Sequence, residues 1–362
     1  MTTKPRLKVG LIGYGYAGKT FHAPLIAAVP DLELAAVASS DAAKVHADWP
    51  GVAVHATPAE LIVRDDLDLV VIATPNDTHH PLARAALLAG RNVVVDKPFT
   101  VALDDARELV ALARKRRKRR KLLSVFHNRR WDGDFLTLRQ LVRDGALGRV
   151  VEMNSRHDRF RPEVRVRWRE MAGPGAGLWF DLGPHLIDQA MQLFGRPRAI
   201  ALQRDLTRDG ALADDWFHAS LRYDRLHVQL HAGMLVAASA PRFAVHGTLA
   251  SFVKEGLDAQ EDALKAGARP TWPPQPGWGV DPGRASRVTR AGDGSAVTEP
   301  VAMQAGAHQA YFAAIAAAIC NEAPNPVPPE EALAVMELIE LGIRSANERR
   351  ELEWPISDAP AG

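Results

Sequence analysis

The chain is nearly without cysteine. Cys320 is the only one in 362 residues, which excludes an intrachain disulfide and gives no support to a cysteine-based metal site. Charge of one sign is also missing: 45 basic residues face 43 acidic ones, so no global field draws the chain to nucleic acid or to an anionic membrane. No apolar run reaches the ~20 residues that a membrane-spanning helix needs. The first residues pass into a strand pattern without the zones of a signal peptide, so a cytoplasmic location is expected. Core-forming residues are present in ordinary measure, with 47% hydrophobic against 24% charged. The length points to two domains.

From residue 7 to about 126, short apolar runs alternate with helical patterns. The strand candidates are Leu7–Ile12, Leu34–Ser39, Leu69–Ala73, Asn92–Val95 and Leu122–Phe126. Each lacks clean period-two alternation, as parallel strands covered on both faces do. Helical patterns fall between them, at Lys19–Val29, Pro81–Ala89 and Leu103–Lys118, which predicts a doubly wound α/β domain over 1–126. After Phe126 the texture changes to alternating strands, giving an α+β domain over 127–362 built on an open, mostly antiparallel sheet. Trp216–Tyr223 and Leu226–Leu235 read as a hairpin, with Arg149–Phe160 and Phe243–Val253 as further strands. The Gly- and Pro-rich stretch 267–295 reads as a long loop, followed by helices over Gln304–Asn321 and Pro329–Arg349. Arg114 to Lys121 are eight consecutive basic residues. Without interleaved aromatics they read as a solvated helix end rather than a nucleic-acid site.

Gly13, Gly15 and Gly18 form a G-x-G-x-x-G run directly after the first strand, the context a dinucleotide fingerprint requires. Gly13 allows the tight turn, Gly15 the approach of a pyrophosphate, and Gly18 close helix-to-strand packing. Tyr14, Tyr16 and Ala17 complete the turn. The second strand ends in Ser39-Ser40, with no carboxylate before Asp41 and with Lys44 nearby. Small hydroxyls and a lysine suit a 2′-phosphate, so NADP is expected over NAD. In the alternative, Asp41 turns back onto the ribose of NAD while the serines cap the next helix. Thr74-Pro75-Asn76, with His79, lies at the carboxyl end of the next strand, on the ligand edge of such a sheet.

Asn92–Val95 runs into Asp96-Lys97-Pro98. A lysine in that slot can bind a substrate oxygen and stabilise developing alkoxide charge. Gly183-Pro184 predicts a helix start, which puts His185 in the first turn with Asp181 near the opening. A histidine there is kept neutral by the dipole and serves as a general base oriented by Asp181; the structural alternative is a capping Asp181 and an interior His185. Three metal ligands so close on one helix start have poor geometry, and no metal is expected. Asn128, Arg159 and Trp179 are the candidates for substrate contact. The arginines at 129, 130, 159, 161, 165, 167 and 169 suit an acidic sugar, or else belong to a solvated loop or an ion-pair network.

Taken in order, Gly13 to Gly18, Thr74 to His79, Asp96 to Pro98, and Asp181 with His185 resemble the motifs of the Gfo/Idh/MocA oxidoreductases. The strings Gly13 to Ile26, Val125 to Asp132 and Arg159 to Pro162 are similar to the subgroup containing NADP-dependent scyllo-inositol dehydrogenases. The resemblance implies a Rossmann domain, Lys97, Asp181 and His185 as the catalytic set, and Pro98 among the cofactor contacts. It further implies a cyclic polyol or its ketone as substrate, and a homodimer or homotetramer formed through the C-terminal sheet. A dehydrogenase of another sugar, such as a uronate or aldose, and a cofactor-sensing regulator are the alternatives. Asp96 stands where the family more often has Glu.

Overall fold

The computed structural model describes residues 5–117, 121–165, 167–238 and 240–355. Its contacts divide the chain into two compact units. The first comprises Met1–Gly133, Asp258–Asp281 and Ala305–Met336; the second comprises Asp134–Leu257, Pro282–Gln304 and Glu337–Gly362. Two segments expected in the second domain thus pack with the first.

The first unit holds a six-stranded parallel sheet of β1 (Leu7–Ile12), β2 (Leu32–Ala38), β3 (Ala53–His55), β4 (Leu69–Ile72), β5 (Asn92–Val95) and β6 (Leu123–Val125), in the order β3-β2-β1-β4-β5-β6. β4 and β5 are buried at every position, as expected for strands covered on both faces. The helices α1 (Ala23–Ala27), α2 (Ala42–Asp48), α3 (Pro58–Ile62), α4 (His79–Leu88) and α5 (Leu103–Arg117) connect them. Strand order reverses between β1 and β4, and the carboxyl ends at that point form the crevice of this fold class.

The helix of the basic run is described as far as Arg117, and Arg114 pairs with Glu330 at 3.0 Å; residues 118–120 lie outside the described set. The returning segments are fastened by buried polar contacts. His308 Nε2 meets Asp132 Oδ1 at 2.6 Å, and the Gly133 N–H donates to Asp258 at 2.8 Å. Asp132, Asp258 and His308 gather possible ligand atoms within 4.8 Å. The 2.6 Å pair is a hydrogen bond, however, since two ligands of one tetrahedral zinc stand roughly 3.3 Å apart.

The second unit holds a nine-stranded sheet, β14-β13-β12-β11-β7-β10-β9-β8-β15. Its strands are β7 (Val150–Arg156), β8 (Ala199–Asp205), β9 (Trp216–Tyr223), β10 (Leu226–Gly233), β11 (Phe243–Gly247), β12 (Ser251–Lys254), β13 (Ala285–Arg290), β14 (Ala296–Pro300) and β15 (Leu352–Glu353). All pairings are antiparallel except β7 with β10. α6 (Gly133–Arg143) and α7 (Leu178–Phe194) belong here; α8 (Gln260–Lys265) and α9 (Gln309–Ile319) lie in the first unit, and α10 (Pro329–Glu348) passes from the first into the second.

Three expectations are corrected. Phe243–Val253 is not one strand but the hairpin β11–β12, because Gly247 N–H bonds to Ala250 and a Cβ at Gly247 would meet the Leu147 carbonyl. The stretch 267–295 contains strand β13, which pairs with both β12 and β14. The third correction concerns α7, which starts at Leu178 rather than at Pro184. Gly177 adopts φ 91°, and Asp214 supplies the cap: its backbone carbonyl accepts from Leu178 N–H (2.7 Å) and its carboxylate from Trp179 N–H (2.8 Å). Burial raises the pKa of the Asp214 carboxyl.

Trp179 is also corrected as a substrate contact. It is fully buried, donates from Nε1 to the Ile339 carbonyl at 3.1 Å, and lies edge-on to Phe217. Trp179→Ala is therefore expected to cost about 3–5 kcal/mol of stability, measured by denaturant unfolding. A loss below about 1 kcal/mol would return the residue to the site.

Candidate active site

The nucleotide side is assembled at the carboxyl ends of β1, β2 and β4. A cavity of about 360 Å³ is lined by Gly13, Tyr14, Gly15, Ser39, Ser40, Lys44 and Thr74 among others. The three glycines divide as their spacing predicts. A Cβ at Gly13 would crowd the Ala73 carbonyl (2.6 Å) and Thr74, and one at Gly18 would run into the Gly13 carbonyl oxygen. At Gly15 a Cβ would meet nothing within 4 Å. Open space at that one position is the cradle a dinucleotide diphosphate needs, and the residues fit such a group. Tyr14 is held by its hydroxyl, which donates to Asp48 Oδ2 at 2.8 Å; Lys19 Nζ reaches the same oxygen at 2.8 Å. Hydrogen bonding from Lys19 lowers the Asp48 pKa. Tyr16 is more than half exposed and touches Phe21, and Ala17 directly precedes the helical turn Gly18–His22. Neither residue lines the cavity.

Asp41, rather than the serines, caps α2: its Oδ1 accepts the Lys44 N–H at 2.9 Å. The Ser39 hydroxyl accepts from Asp41 N–H at 3.2 Å. Ser40 and Lys44 remain exposed at the cavity rim.

The Thr74-Pro75-Asn76 turn and the Asp96-Lys97-Pro98 turn are bridged by His79. Its Nδ1 lies 2.8 Å from the Pro98 carbonyl and its Nε2 lies 3.1 Å from the Thr74 carbonyl. Asn76 is buried in a short 3₁₀ turn that continues into α4. Lys97 is half-buried, with its backbone N–H donating to Asp96 Oδ1 at 2.9 Å. Burial alone would raise the Asp96 pKa, but His22, Lys97 and His79 hold it at about 2. Asp96 is thus a buried carboxylate directly beside Lys97.

In the second unit, Asp181 occupies the first turn of α7 and His185 stands one turn further on, at i,i+4 on the same face. The positive helix end therefore acts on the Asp181 carboxylate rather than on His185, which corrects the first-turn placement of the histidine. His185 is 5% exposed, and Arg169 Nε lies 3.7 Å from Asp181 Oδ1. Arg159 is half-buried, with its guanidinium 3.4 Å from His157 Nε2. In the first unit, Asn128 is half-buried on a 3₁₀ turn.

Several of the remaining arginines are engaged. Arg129 pairs with Asp132 and Glu261, Arg130 with Glu331, and Arg167 with Glu170. Arg208, which sequence reading missed, is buried against Asp215 and Glu170 and donates to the Arg161 and Glu163 carbonyls. It thereby pins the arginine-rich loop. Arg129, Arg130, Arg167, Arg169 and Arg208 therefore read as an ion-pair network.

Two domain models of one family match the chain: the NAD-binding Rossmann fold of the Gfo/Idh/MocA oxidoreductases over residues 7–126, and the C-terminal alpha/beta domain of the same family over 139–354. The uncharacterised oxidoreductase YdgJ of Escherichia coli is 54% identical over 346 residues, 96% of this chain and 98% of YdgJ. The scyllo-inositol 2-dehydrogenase (NADP(+)) IolW of Bacillus subtilis is 36% identical, over 96% of this chain and 95% of its own. A solved structure from Yersinia pestis superposes with a TM-score of 0.92 at 51% identity, covering 98% of this chain and 99% of that one. Among the described residues, no helix is long and apolar enough to cross a membrane.

Proposed function

The chain belongs to the Gfo/Idh/MocA oxidoreductase family, and on that premise we propose that it is an NADP-dependent dehydrogenase moving a hydride between nicotinamide and a cyclic polyol or its ketone. The observation that carries this reading is Lys97, fixed at the carboxyl end of β5 between a buried Asp96 carboxylate and the His79 bridge. A cation so placed serves an oxygen that gains negative charge during reaction. The arginine network supports a neutral substrate, because the guanidinium groups of Arg129, Arg130, Arg167 and Arg208 already face carboxylates. The nearly full-length similarity to a scyllo-inositol 2-dehydrogenase supports the polyol class.

In the oxidative direction His185 accepts the hydroxyl proton, Asp181 orients the imidazole from the preceding turn, and Lys97 stabilises the alkoxide. Asn128 and Arg159 supply hydrogen bonds to the other hydroxyls. Gly13, Gly15 and the turn between them receive the diphosphate. Thr74, Pro75, Asn76 and Pro98 flank the nicotinamide end. Ser39, Ser40 and Lys44 receive the 2′-phosphate beside Asp41, whose carboxylate caps α2 and lines the same cavity. The assembly is a homo-oligomer joined through the nine-stranded sheet.

Cofactor preference is the part most directly tested. Hydrogen bonds to a charged group contribute about 1.5–3 kcal/mol. Lys44→Ala should therefore raise the Kd for NADPH by about tenfold or more and leave that for NADH unchanged. Equal weakening of both, or tighter wild-type binding of NADH, refutes the phosphate assignment.

A further inference from the structure

We infer that His22 is a positioning residue for Lys97, acting on it through the Asp96 carboxylate. The inference rests on Lys97 being the cation at the reacting oxygen, and it assigns a task to a buried histidine that the proposed chemistry leaves unused.

His22 ends the helical turn that follows the glycine run and is fully buried. Its ring packs on Phe126 at 4.5 Å between centroids and edge-on to Phe312 at 6.0 Å. In that apolar setting Nδ1 meets no polar partner, and the polar atom that Nε2 faces is Asp96 Oδ1 at 3.6 Å. The same Oδ1 accepts the Lys97 N–H at 2.9 Å. His22, Asp96 and Lys97 therefore form one chain of contacts, running from the nucleotide-binding turn to the end of β5. A histidine costs desolvation energy in such a place, and an aliphatic or aromatic residue would fill it more cheaply.

The groups facing this carboxylate come from several elements. His22 approaches from the turn after β1, His79 from α4, and Lys97 from its own turn. Tyr311 of α9 faces it as well; burial raises the pKa of that phenol, and its hydroxyl donates to Ser124 at 2.9 Å. Arg130 bears on Tyr311 electrostatically. Of these, His22 contributes most to holding Asp96 ionised against its burial. Without His22, desolvation would be opposed by Lys97 and His79 alone, and Asp96 would take up a proton at higher pH. Lys97 would then lose its adjacent counter-charge, and its ammonium would release a proton at lower pH.

The test reads Lys97 directly. Labelling of the Lys97 amine by an acylating ester is followed by peptide mass spectrometry across pH, in wild type, His22→Phe, His22→Asn and His22→Gln. The Phe and Asn variants, which place no donor against Oδ1, are expected to lower the labelling midpoint by about one pH unit or more. His22→Gln, whose longer amide keeps a donor, should return it to the wild-type value. Turnover of scyllo-inositol with NADP+ should fall about tenfold in the first two, with KM for NADP+ within about twofold. A merely space-filling role would leave the midpoint unmoved. If neither variant folds, Asp96→Asn must lower the midpoint in the same way. An unchanged midpoint in folded His22→Phe, His22→Asn or Asp96→Asn overturns the inference. Failure of the functional reading shows differently, as full turnover by Lys97→Met whatever the labelling midpoints.

Discussion

Lys97→Met is expected to lower turnover by on the order of 10³-fold while leaving the Kd for NADPH within a small factor of wild type. Methionine keeps most of the length and apolar surface of lysine but cannot offer a charge to an alkoxide. The main-chain bond from Lys97 N–H to Asp96 survives the change, so the turn itself should hold. His185→Ala should cost on the order of 10²–10⁴-fold, the usual worth of a positioned general base. The two differ in their response to pH. The base variant should lose the limb of the profile that reports imidazole titration, whereas the lysine variant should retain it. Near-wild-type turnover in either would remove that residue from the mechanism. Absence of NADPH consumption by the wild type across a panel of polyols and ketosugars, despite tight cofactor binding, would favour a cofactor-binding regulator on the same fold, since such a protein has no use for a base.

The second large effect separates the glycines. Helix propensity alone favours Ala over Gly by about 1 kcal/mol, so Gly→Ala in a helical turn is ordinarily stabilising. At Gly18 the sign reverses, because the new Cβ would be driven into the Gly13 carbonyl, a main-chain atom that cannot rotate away. Gly18→Ala should lose about 3 kcal/mol or more, with a clear drop in Tm. Gly15→Ala meets no neighbour and should melt like wild type or slightly higher. Its methyl group would instead occupy the space left for the diphosphate, so NADPH affinity should fall about tenfold or more. One measurement pair, Tm without nucleotide and Kd for NADPH, distinguishes a packing glycine from a binding glycine. If Gly15→Ala binds NADPH normally, the diphosphate does not lie against that turn.

Much of the first unit was legible because its signals are local. β1 and β5 occupy the residues expected of them, since a short, mostly apolar run between turn residues has few other readings. The Lys97 turn was legible for the same reason, following at once on an unmistakable strand. β9 also kept its expected bounds, because its alternation is regular. What escaped depends on partners distant in sequence. The start of α7 was misplaced because its cap, Asp214, lies 35 residues downstream of Trp179. A proline inside the helix looked like its beginning. Trp179 drew attention beside Asp181, yet the neighbours that bury it, Phe217 and Ile339, come from another strand and from α10. The arginines left an anionic ligand and an ion-pair network both open, because Glu261 and Glu331, which neutralise Arg129 and Arg130, lie too far along the chain to be matched to them by spacing. His22 passed unnoticed inside an apolar helical string; a lone histidine among Phe21, Ala23 and Pro24 was the available signal.

The central claim, NADP-linked oxidation of a cyclic polyol, is most directly tested by mixing the purified protein with scyllo-inositol and NADP+ and following NADPH absorbance, with NAD+ and Lys97→Met in parallel. The account predicts polyol-dependent NADPH formation that is slower with NAD+ and nearly abolished in the variant. Tight NADPH binding with no turnover of scyllo-inositol, its ketone or related cyclic polyols would contradict it.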